Sequence, residues 1–112
     1  MKILFNLTLV IAALLAAPTV LAKMSSADMD AARSSFQSSG CGSCHSAADS
    51  AAGPSLKAIA KRYKGKAVVA ELAERIRSGS QGRWGDLPHP AVDYLSQAEA
   101  AIVAEWILSG AR

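Results

Sequence analysis

The amino-acid sequence predicts an all-α fold of four to five short helices. Apolar side chains recur three or four residues apart in four segments, as they do along one face of an α-helix. Serine, a residue that favours the N-cap position, stands at the start of three of these segments. No run of residues alternates apolar and polar side chains convincingly enough to indicate a β-strand. The length of 112 residues corresponds to one small domain.

Residues 1–22 have the features of a secretory signal peptide. Lys2 is followed by a nearly apolar run over residues 3–17, and small residues precede a cleavage position ahead of Lys23. The same run is almost long enough to be an uncleaved membrane anchor, but the proline that ends it favours cleavage. We therefore predict export to the periplasm and a mature domain of residues 23–112 with no stable membrane anchor.

The first helix is predicted over residues 25–39. Ser25 or Ser26 can cap its N-terminus, and Gly40 ends it. The residues at helical spacing, among which Phe36 points inward, are Met29, Ala32, Arg33 and Phe36. We expect Met29 to contribute to packing rather than to act as a ligand.

Two further helices are predicted over residues 56–63 and 67–77. Ser55 can cap the shorter one. The predicted inward faces are Leu56, Ile59, Ala60 and Tyr63 in the shorter helix, and Val68, Val69, Leu72, Ala73 and Ile76 in the longer one. Glu71 and Arg75 are four residues apart, so they can pair on the surface of the longer helix.

The last part of the chain combines a restrained loop with a final helix. Residues 78–85 contain three glycines beside Trp84 and cannot form regular structure, and a proline on each side stiffens the backbone at His89. Ser96 and Glu99 form a capping box that starts the last helix. Its predicted apolar face, with Trp106 alongside, is Ala100, Val103, Ala104, Ile107 and Leu108.

One short motif carries a specific chemistry: Cys41 and Cys44 are two residues apart and His45 follows at once. This order is typical of covalent haem c attachment, in which the two thiols bind the haem vinyl groups and the adjacent imidazole binds the iron. A redox dithiol, half of a zinc site and a plain disulfide are the alternatives. A redox dithiol would require a cytosolic protein and a nearby βαβ pattern, and neither is evident. A zinc site needs four ligands, but the chain has two cysteines in all and its only other histidine is His89. A disulfide would close too small a ring to stabilise the fold much, and it would leave His45 unexplained.

The composition agrees with a cofactor in the core. The mature part is rich in alanine, which forms helices well but brings little volume to bury, and a large apolar macrocycle supplies that volume.

The formal charge of +3 falls to +2 without the leader, which holds one lysine and no acidic residue. Two haem propionates roughly cancel this excess, so no nucleic-acid partner is indicated. The clustered cations, Lys57, Lys61, Arg62, Lys64 and Lys66, are a solvated helix face or a docking patch for an acidic partner.

A second iron ligand is expected from the other side of the haem. Electron-transfer cytochromes commonly use methionine there, but Met24 and Met29 precede the motif and no methionine follows it. His89 is the remaining imidazole, so we predict ligation of the iron by both His45 and His89. The alternative is an exposed His89, with water, a lysine or an empty site at the iron.

The mature chain resembles the small bacterial class I cytochromes c of the cytochrome c-551 type over nearly its whole length. The matching features are Phe36 and Gly40 before the haem motif, Gly53-Pro54 after it, Arg75, the stretch Ser80-Gln81-Gly82-Arg83-Trp84-Gly85 and the aromatic C-terminal helix around Trp106. The resemblance departs at one place. The family has Pro-Met-Pro where this chain has Pro88-His89-Pro90, which places histidine in the ligand position and implies a lowered potential.

The resemblance also implies roles for individual residues. The carbonyl of Pro54 would accept a hydrogen bond from His45, and Arg75 and Trp84 would hold a haem propionate. Phe36 and Trp106 would pack where the first and last helices cross. The fold implied is the class I cytochrome c fold around one covalent haem c.

The predicted function is single-electron transfer in the periplasm by a monomeric protein that is not an enzyme. Its partners would be other redox proteins, met in transient contacts. The alternative is a ligand-responsive haem protein, which would bind a small gas at the distal site if His89 dissociates from the iron.

Overall fold

The computed structural model describes residues 23–112, and the predicted signal peptide lies outside them. Within this range there are four α-helices: α1 (Ser26–Ser38), α2 (Leu56–Arg62), α3 (Val69–Ser78) and α4 (Gln97–Leu108). A 3₁₀ turn spans Cys41–Ser43. The all-α prediction is confirmed, since the only β-type pairing among these residues is one isolated bridge. None of the helices that the structure describes is long and apolar enough to cross a bilayer.

Helix α1 begins and ends close to the predicted positions. The Ser25 side chain accepts a hydrogen bond from the Asp28 backbone N–H, which satisfies one of the free donors of the first turn. Ala32 and Phe36 are its buried residues. After the helix, Gly40 takes a left-handed conformation with φ of 72°, and this reversal leads directly into the 3₁₀ turn.

Helix α2 ends at Arg62, one residue before its predicted end, and helix α3 differs more from its prediction. Helix α3 begins at Val69, two residues later than predicted, and its N-cap residue Val68 makes no capping hydrogen bond, so no local signal marks this start. The predicted face of α3 does point inward, since none of its five residues is exposed, but only Ala73 is fully buried. Leu72 and Ile76 are half-buried where they line a cavity.

Helix α4 supplies the largest part of the core. Both hydrogen bonds of the capping box between Ser96 and Glu99 are present, as predicted. Its buried residues are Ala100, Val103, Ala104, Trp106 and Ile107, whereas the predicted inward residue Leu108 is half-exposed. The Phe36 and Trp106 rings meet edge to face with their centres 5.3 Å apart, so α1 and α4 are packed together at the expected pair.

Candidate functional site

A cavity of about 450 Å³ lies between the 3₁₀ turn, the ends of α2 and α3, and the irregular segment before α4. Its volume falls within the usual range for sites that bind a large organic ligand. All the residues predicted from the sequence to bind the cofactor line this one cavity: Cys41, Cys44, His45, Pro54, Arg75, Trp84 and His89. Residues more than forty positions apart in the chain are thereby brought to one place.

His45 is held through its side chain. Its Nδ1 lies 2.7 Å from the backbone carbonyl oxygen of Pro54, the contact expected at this position. A carbonyl oxygen only accepts hydrogen bonds, so Nδ1 carries the proton and donates. Nε2 therefore keeps its lone pair, which is the form of imidazole that binds a metal.

Gly53 allows this position of the His45 ring. A Cβ atom built on Gly53 would lie 2.8 Å from Cε1 of His45 and 3.3 Å from the carbonyl oxygen of Cys44. Real Cβ atoms do not approach other atoms as closely as the first of these distances. A side chain at position 53 would therefore push the ring away from the Pro54 carbonyl.

His89 is held through its backbone. Its N–H donates to the Ser80 carbonyl at 2.8 Å, and the Ser80 N–H donates back to the His89 carbonyl at 3.2 Å. Gly79, with φ of 79° and ψ of 173°, lies directly behind this pair, and a Cβ there would be 2.7 Å from the His89 carbonyl oxygen. This region of backbone space is essentially open to glycine alone. Position 79 therefore requires glycine for two separate reasons.

The side chain of His89 is less constrained than its backbone. The ring is half-buried, and its buried Nδ1 has no hydrogen-bond partner among the residues that the structure describes. Burial lowers the pKa of His89 below its ordinary value, and the neighbouring His45 adds to this effect while the Pro90 backbone opposes it. A lowered pKa favours the neutral imidazole, which is the form that binds a metal.

The two imidazoles face the same cavity at a distance that fits a shared metal. Their ring centres are 6.1 Å apart and their planes are tilted by 35°. A metal lies about 2 Å from each imidazole nitrogen, and each nitrogen lies roughly 1 Å from its ring centre, so two axial rings have centres roughly 6 Å apart. His45 and His89 therefore satisfy the spacing that a bis-imidazole iron site needs.

The two cysteines lie at the edge of the same cavity. Cys41 and Cys44 are half-buried and are not joined in a disulfide, and both line the cavity next to His45. Burial raises the pKa of the Cys41 thiol above its ordinary value, opposed by a backbone hydrogen bond, and Cys44 adds to the increase. Within residues 23–112 no group of three or more histidine, cysteine and acidic side chains is placed to hold a metal, so the zinc alternative gains no support.

Arg75 lines the cavity with its guanidinium already oriented. Nη1 donates to the Tyr63 hydroxyl at 3.1 Å, and Nη2 pairs with the Glu71 carboxylate, which confirms the predicted pairing along α3. Only 16 % of the Arg75 side chain is exposed, so its charge faces the cavity side of the helix in a setting with little water. A carboxylate entering the cavity here would meet a fixed cation.

Trp84 contacts a residue that the sequence did not single out. Its ring is 41 % exposed, and the guanidinium carbon of Arg62 lies 4.2 Å from the ring centre. Arg62 Nη1 also donates to the Arg83 carbonyl at 2.7 Å. Arg62 and Trp84 are 22 positions apart, and no spacing rule connects them. Arg62, one of the clustered surface cations, thus contacts a residue that lines the cavity.

Met29 takes no part in the cavity. It is partly buried against the core that contains Phe36 and Trp106, and it is absent from the cavity lining. This agrees with the prediction that Met29 contributes to packing.

Comparison with known proteins places this geometry in a family. The cytochrome c family profile matches residues 18–111. Cytochrome c-551 from Pseudomonas aeruginosa is 43% identical over 75 residues, which cover 66% of this chain and 71% of the relative. Cytochrome c-552 from Nitrosomonas europaea is 37% identical over 95 residues, covering 84% of this chain and 88% of the relative.

Solved structures show the same architecture. The crystal structure of wild-type Nitrosomonas europaea cytochrome c552 superposes with a TM-score of 0.65 at 34% identity, covering 70% of this chain and 98% of that one. The class 1 cytochrome MtoD from Sideroxydans lithotrophicus ES-1 gives 0.66 at 30% identity, covering 76% and 98%. Sequence and structure therefore agree on the fold.

Proposed function

This chain belongs to the cytochrome c family, as a small class I member with one covalent haem c, and we propose that it carries single electrons in the periplasm with His45 and His89 as the two iron ligands. The relatives are electron-transfer cytochromes, and Cys41 and Cys44 have the spacing that covalent attachment needs. The parts that we propose beyond family membership are His89 as the second iron ligand, the periplasm as the compartment and a lowered reduction potential.

The observation that carries the proposal is the distance of 6.1 Å between the His45 and His89 ring centres. Two imidazoles at this spacing in a cavity that also contains both cysteines match the needs of one haem with two axial nitrogen ligands. Met24 and Met29, the methionines within residues 23–112, lie in or before α1 and line no part of the cavity. Neither of these methionines is therefore placed to bind the iron through sulfur.

The haem, when bound, supplies an iron that changes between the ferric and ferrous states. The residues of this chain supply position and environment. Pro54 sets the tautomer of His45, the Ser80 pairing sets the backbone of His89, and Arg75 offers its cation to a propionate. Because both imidazoles remain available in either oxidation state, electron transfer requires no ligand to enter or leave.

Histidine in place of methionine lowers the reduction potential. Methionine ligation raises the potential of cytochromes c, and an imidazole donor stabilises the ferric state relative to it. We therefore propose a lower potential than that of a methionine-ligated variant of this same chain.

Transient contact with other redox proteins fits the surface beside the cavity. Trp84 and Leu87 both line the cavity and remain exposed, at 41 % and 65 %. A partner can therefore come close to the cofactor without a rearrangement of the fold. We propose a monomeric electron carrier with no catalytic role of its own.

The variant His89→Met tests the ligand. We expect a raised midpoint potential and a new sulfur-to-iron charge-transfer band near the red end of the ferric absorption spectrum, because the thioether would replace the imidazole at the iron. The control Met29→Leu removes a thioether that packs in the core, and it should leave both the potential and the spectrum unchanged. An unchanged potential and spectrum in His89→Met would show that His89 is not the ligand.

One observation favours a second candidate function. The His89 Nδ1 has no hydrogen-bond partner within residues 23–112, so its ring lacks the support that Pro54 gives to His45. If His89 leaves the iron, the protein would bind a small gas at the distal site and respond to it. Addition of carbon monoxide to the reduced protein separates the two functions: an unchanged spectrum supports the electron carrier, and rapid adduct formation supports the gas-binding protein.

A further inference from the structure

Residues 80–89, here called the distal loop, form a closed loop that covers one side of the cavity. The two ends of the loop are joined by the paired hydrogen bonds between Ser80 and His89. Every residue from 81 to 88 is exposed, yet most of the loop lines the cavity. A loop with so little burial depends on a few specific contacts to keep its position.

The tip of the distal loop is held by Arg62 at the end of α2. The Arg62 guanidinium lies over the Trp84 ring, 4.2 Å from the ring centre, and Nη1 donates to the Arg83 carbonyl at 2.7 Å. A guanidinium stacks on an aromatic face and donates in its own plane at the same time, which a lysine ammonium cannot do. One side chain thus makes two different contacts with adjacent residues of the loop.

The other contacts of the loop tip with the helices are weaker. Tyr63 meets Trp84 edge to face, with ring centres 6.5 Å apart. Arg83 reaches the Glu71 carboxylate only at 4.0 Å, and both side chains are more than half exposed, so water screens this pair. Arg62 is exposed as well, but it makes two contacts with adjacent loop residues, and its hydrogen bond at 2.7 Å is much shorter than the Arg83–Glu71 pair. Arg62 therefore makes the main contact between the loop tip and the helices.

We propose that Arg62 is a positioning residue that holds the distal loop closed over the cavity and thereby keeps His89 facing His45. A restrained tip limits the conformations of the loop, so the pairing of Ser80 with His89 loses less entropy when it forms. The importance of this pairing for the iron rests on the proposed function, in which His89 is a ligand. The mechanical role of Arg62 does not depend on that ligation.

The variant Arg62→Ala in the haem-loaded protein tests the contact at the tip. The chain has two tryptophans, so the Trp84 and Trp106 indole N–H groups give two signals in a nitrogen relaxation experiment. The Trp106 indole donates to the Arg112 carbonyl and packs against Phe36, far from the loop contacts, so it is an internal reference. We expect the order parameter of the Trp84 indole to fall in Arg62→Ala while that of Trp106 is unchanged.

Hydrogen exchange of the His89 amide tests the effect at the base of the loop. We expect exchange to become about threefold to tenfold faster in Arg62→Ala, the factor for losing an interaction comparable to one hydrogen bond. The amide of Val103, which is buried in α4, should exchange at its original rate, because α4 makes no part of the loop contact. A uniform increase at both amides would mean general destabilisation and would contradict the proposal.

Two control variants separate geometry from charge. Lys61→Ala removes the same unit of charge from the same helix and should leave the Trp84 and His89 signals unchanged. Arg62→Lys keeps the charge but not the stacked donor, and it should give values between those of the original protein and Arg62→Ala. A Trp84 indole and a His89 amide in Arg62→Ala that match the original protein would overturn the proposal. The His89→Met spectrum tests separately whether His89 binds the iron. Failure of the Arg62 proposal can therefore be distinguished from failure of the proposed function.

Discussion

His45 and His89 face each other across one cavity but are held in different ways. His45 follows the 3₁₀ turn, is fixed by a hydrogen bond from its ring to Pro54, and fits against Gly53. His89 lies in an exposed loop, and its fixed part is the backbone, through Ser80. The ring of His89 has no equivalent hydrogen bond within the described residues.

This difference indicates where each side of the site can vary. On the His45 side, residues within a short stretch of chain fix both the backbone and the ring, so a change there disturbs the His45 ring directly. On the His89 side, backbone hydrogen bonds with Ser80 fix the path of the chain, and these bonds do not involve the side chain at position 89. The side chain at position 89 can therefore be changed without altering the loop that carries it.

The largest expected effect comes from removing the attachment on the His45 side. The double variant Cys41→Ala/Cys44→Ala should contain no covalently bound haem, because both thiols that form the thioether bonds are gone. The measurement is haem staining after denaturing electrophoresis. Ser43→Ala, which changes the residue between the cysteines without removing a thiol, should stain normally. Haem that still migrates with the double variant would contradict the attachment role.

The next effect falls on the backbone support of His89. Gly79→Ala should lower the free energy of unfolding by about 3–5 kcal/mol, because it combines a disallowed backbone conformation with a contact too close to the His89 carbonyl. Gly82→Ala is a matched control: Gly82 also has positive φ, at 69°, but a Cβ there would contact nothing within 4 Å. Gly82→Ala should lower the free energy of unfolding by only about 1–2 kcal/mol. Equal losses in denaturant titrations of the two variants would show that the close approach at Gly79 is unimportant.

The corresponding change behind His45 is smaller. Gly53→Ala should lower the free energy of unfolding by about 1–3 kcal/mol, because the closest contact of the new methyl group is the His45 ring, and its nearest backbone contact is at 3.3 Å. The ring should shift away from Pro54, so the Nδ1–H proton of His45 should exchange faster in nuclear magnetic resonance spectra. Gly42→Ala, whose Cβ would meet the Phe36 ring at an ordinary 3.8 Å, serves as the control. An unchanged Nδ1–H signal in Gly53→Ala would show that Gly53 is not needed to position the His45 ring.

The smallest effect concerns a region remote from both imidazoles. Hydrogen bonds from the backbone and the side chain of Ser96 lower the pKa of the Glu99 carboxyl below its ordinary value. A lowered pKa in the folded state means that the ionised group stabilises the fold above its unfolded pKa, and that this contribution is lost as pH falls through the folded-state pKa. Glu99→Gln should therefore be slightly less stable than the original protein at pH 7, and the difference should shrink on acidification. The absorption spectrum of Glu99→Gln should match that of the original protein, so this variant is a control for the changes around the cavity.

Those parts of the site that depend on neighbouring residues could be predicted from sequence. Cys41, Cys44 and His45 are contiguous, and their order alone indicates the chemistry. The helices with serine caps were also placed closely, since a cap is a local signal. The start of α3 was wrong because Val68 gives no such signal.

Contacts between distant residues could not be predicted in this way. The pairing of Ser80 with His89 involves one residue on each side, too few for an alternating pattern to reveal. The contact of Arg62 with Trp84 depends on how α2 and the distal loop pack, and the sequence showed Arg62 only as one of several surface cations. The need for glycine at position 79 became visible once the His89 carbonyl was seen against it.

The most direct test of two-sided imidazole ligation is a pair of ferric and ferrous absorption spectra of the unaltered protein, recorded with a redox titration. We expect a low-spin haem in both states, no sulfur-to-iron band, and a midpoint potential below that of His89→Met. A high-spin ferric spectrum, or a sulfur-to-iron band in the unaltered protein, would contradict it.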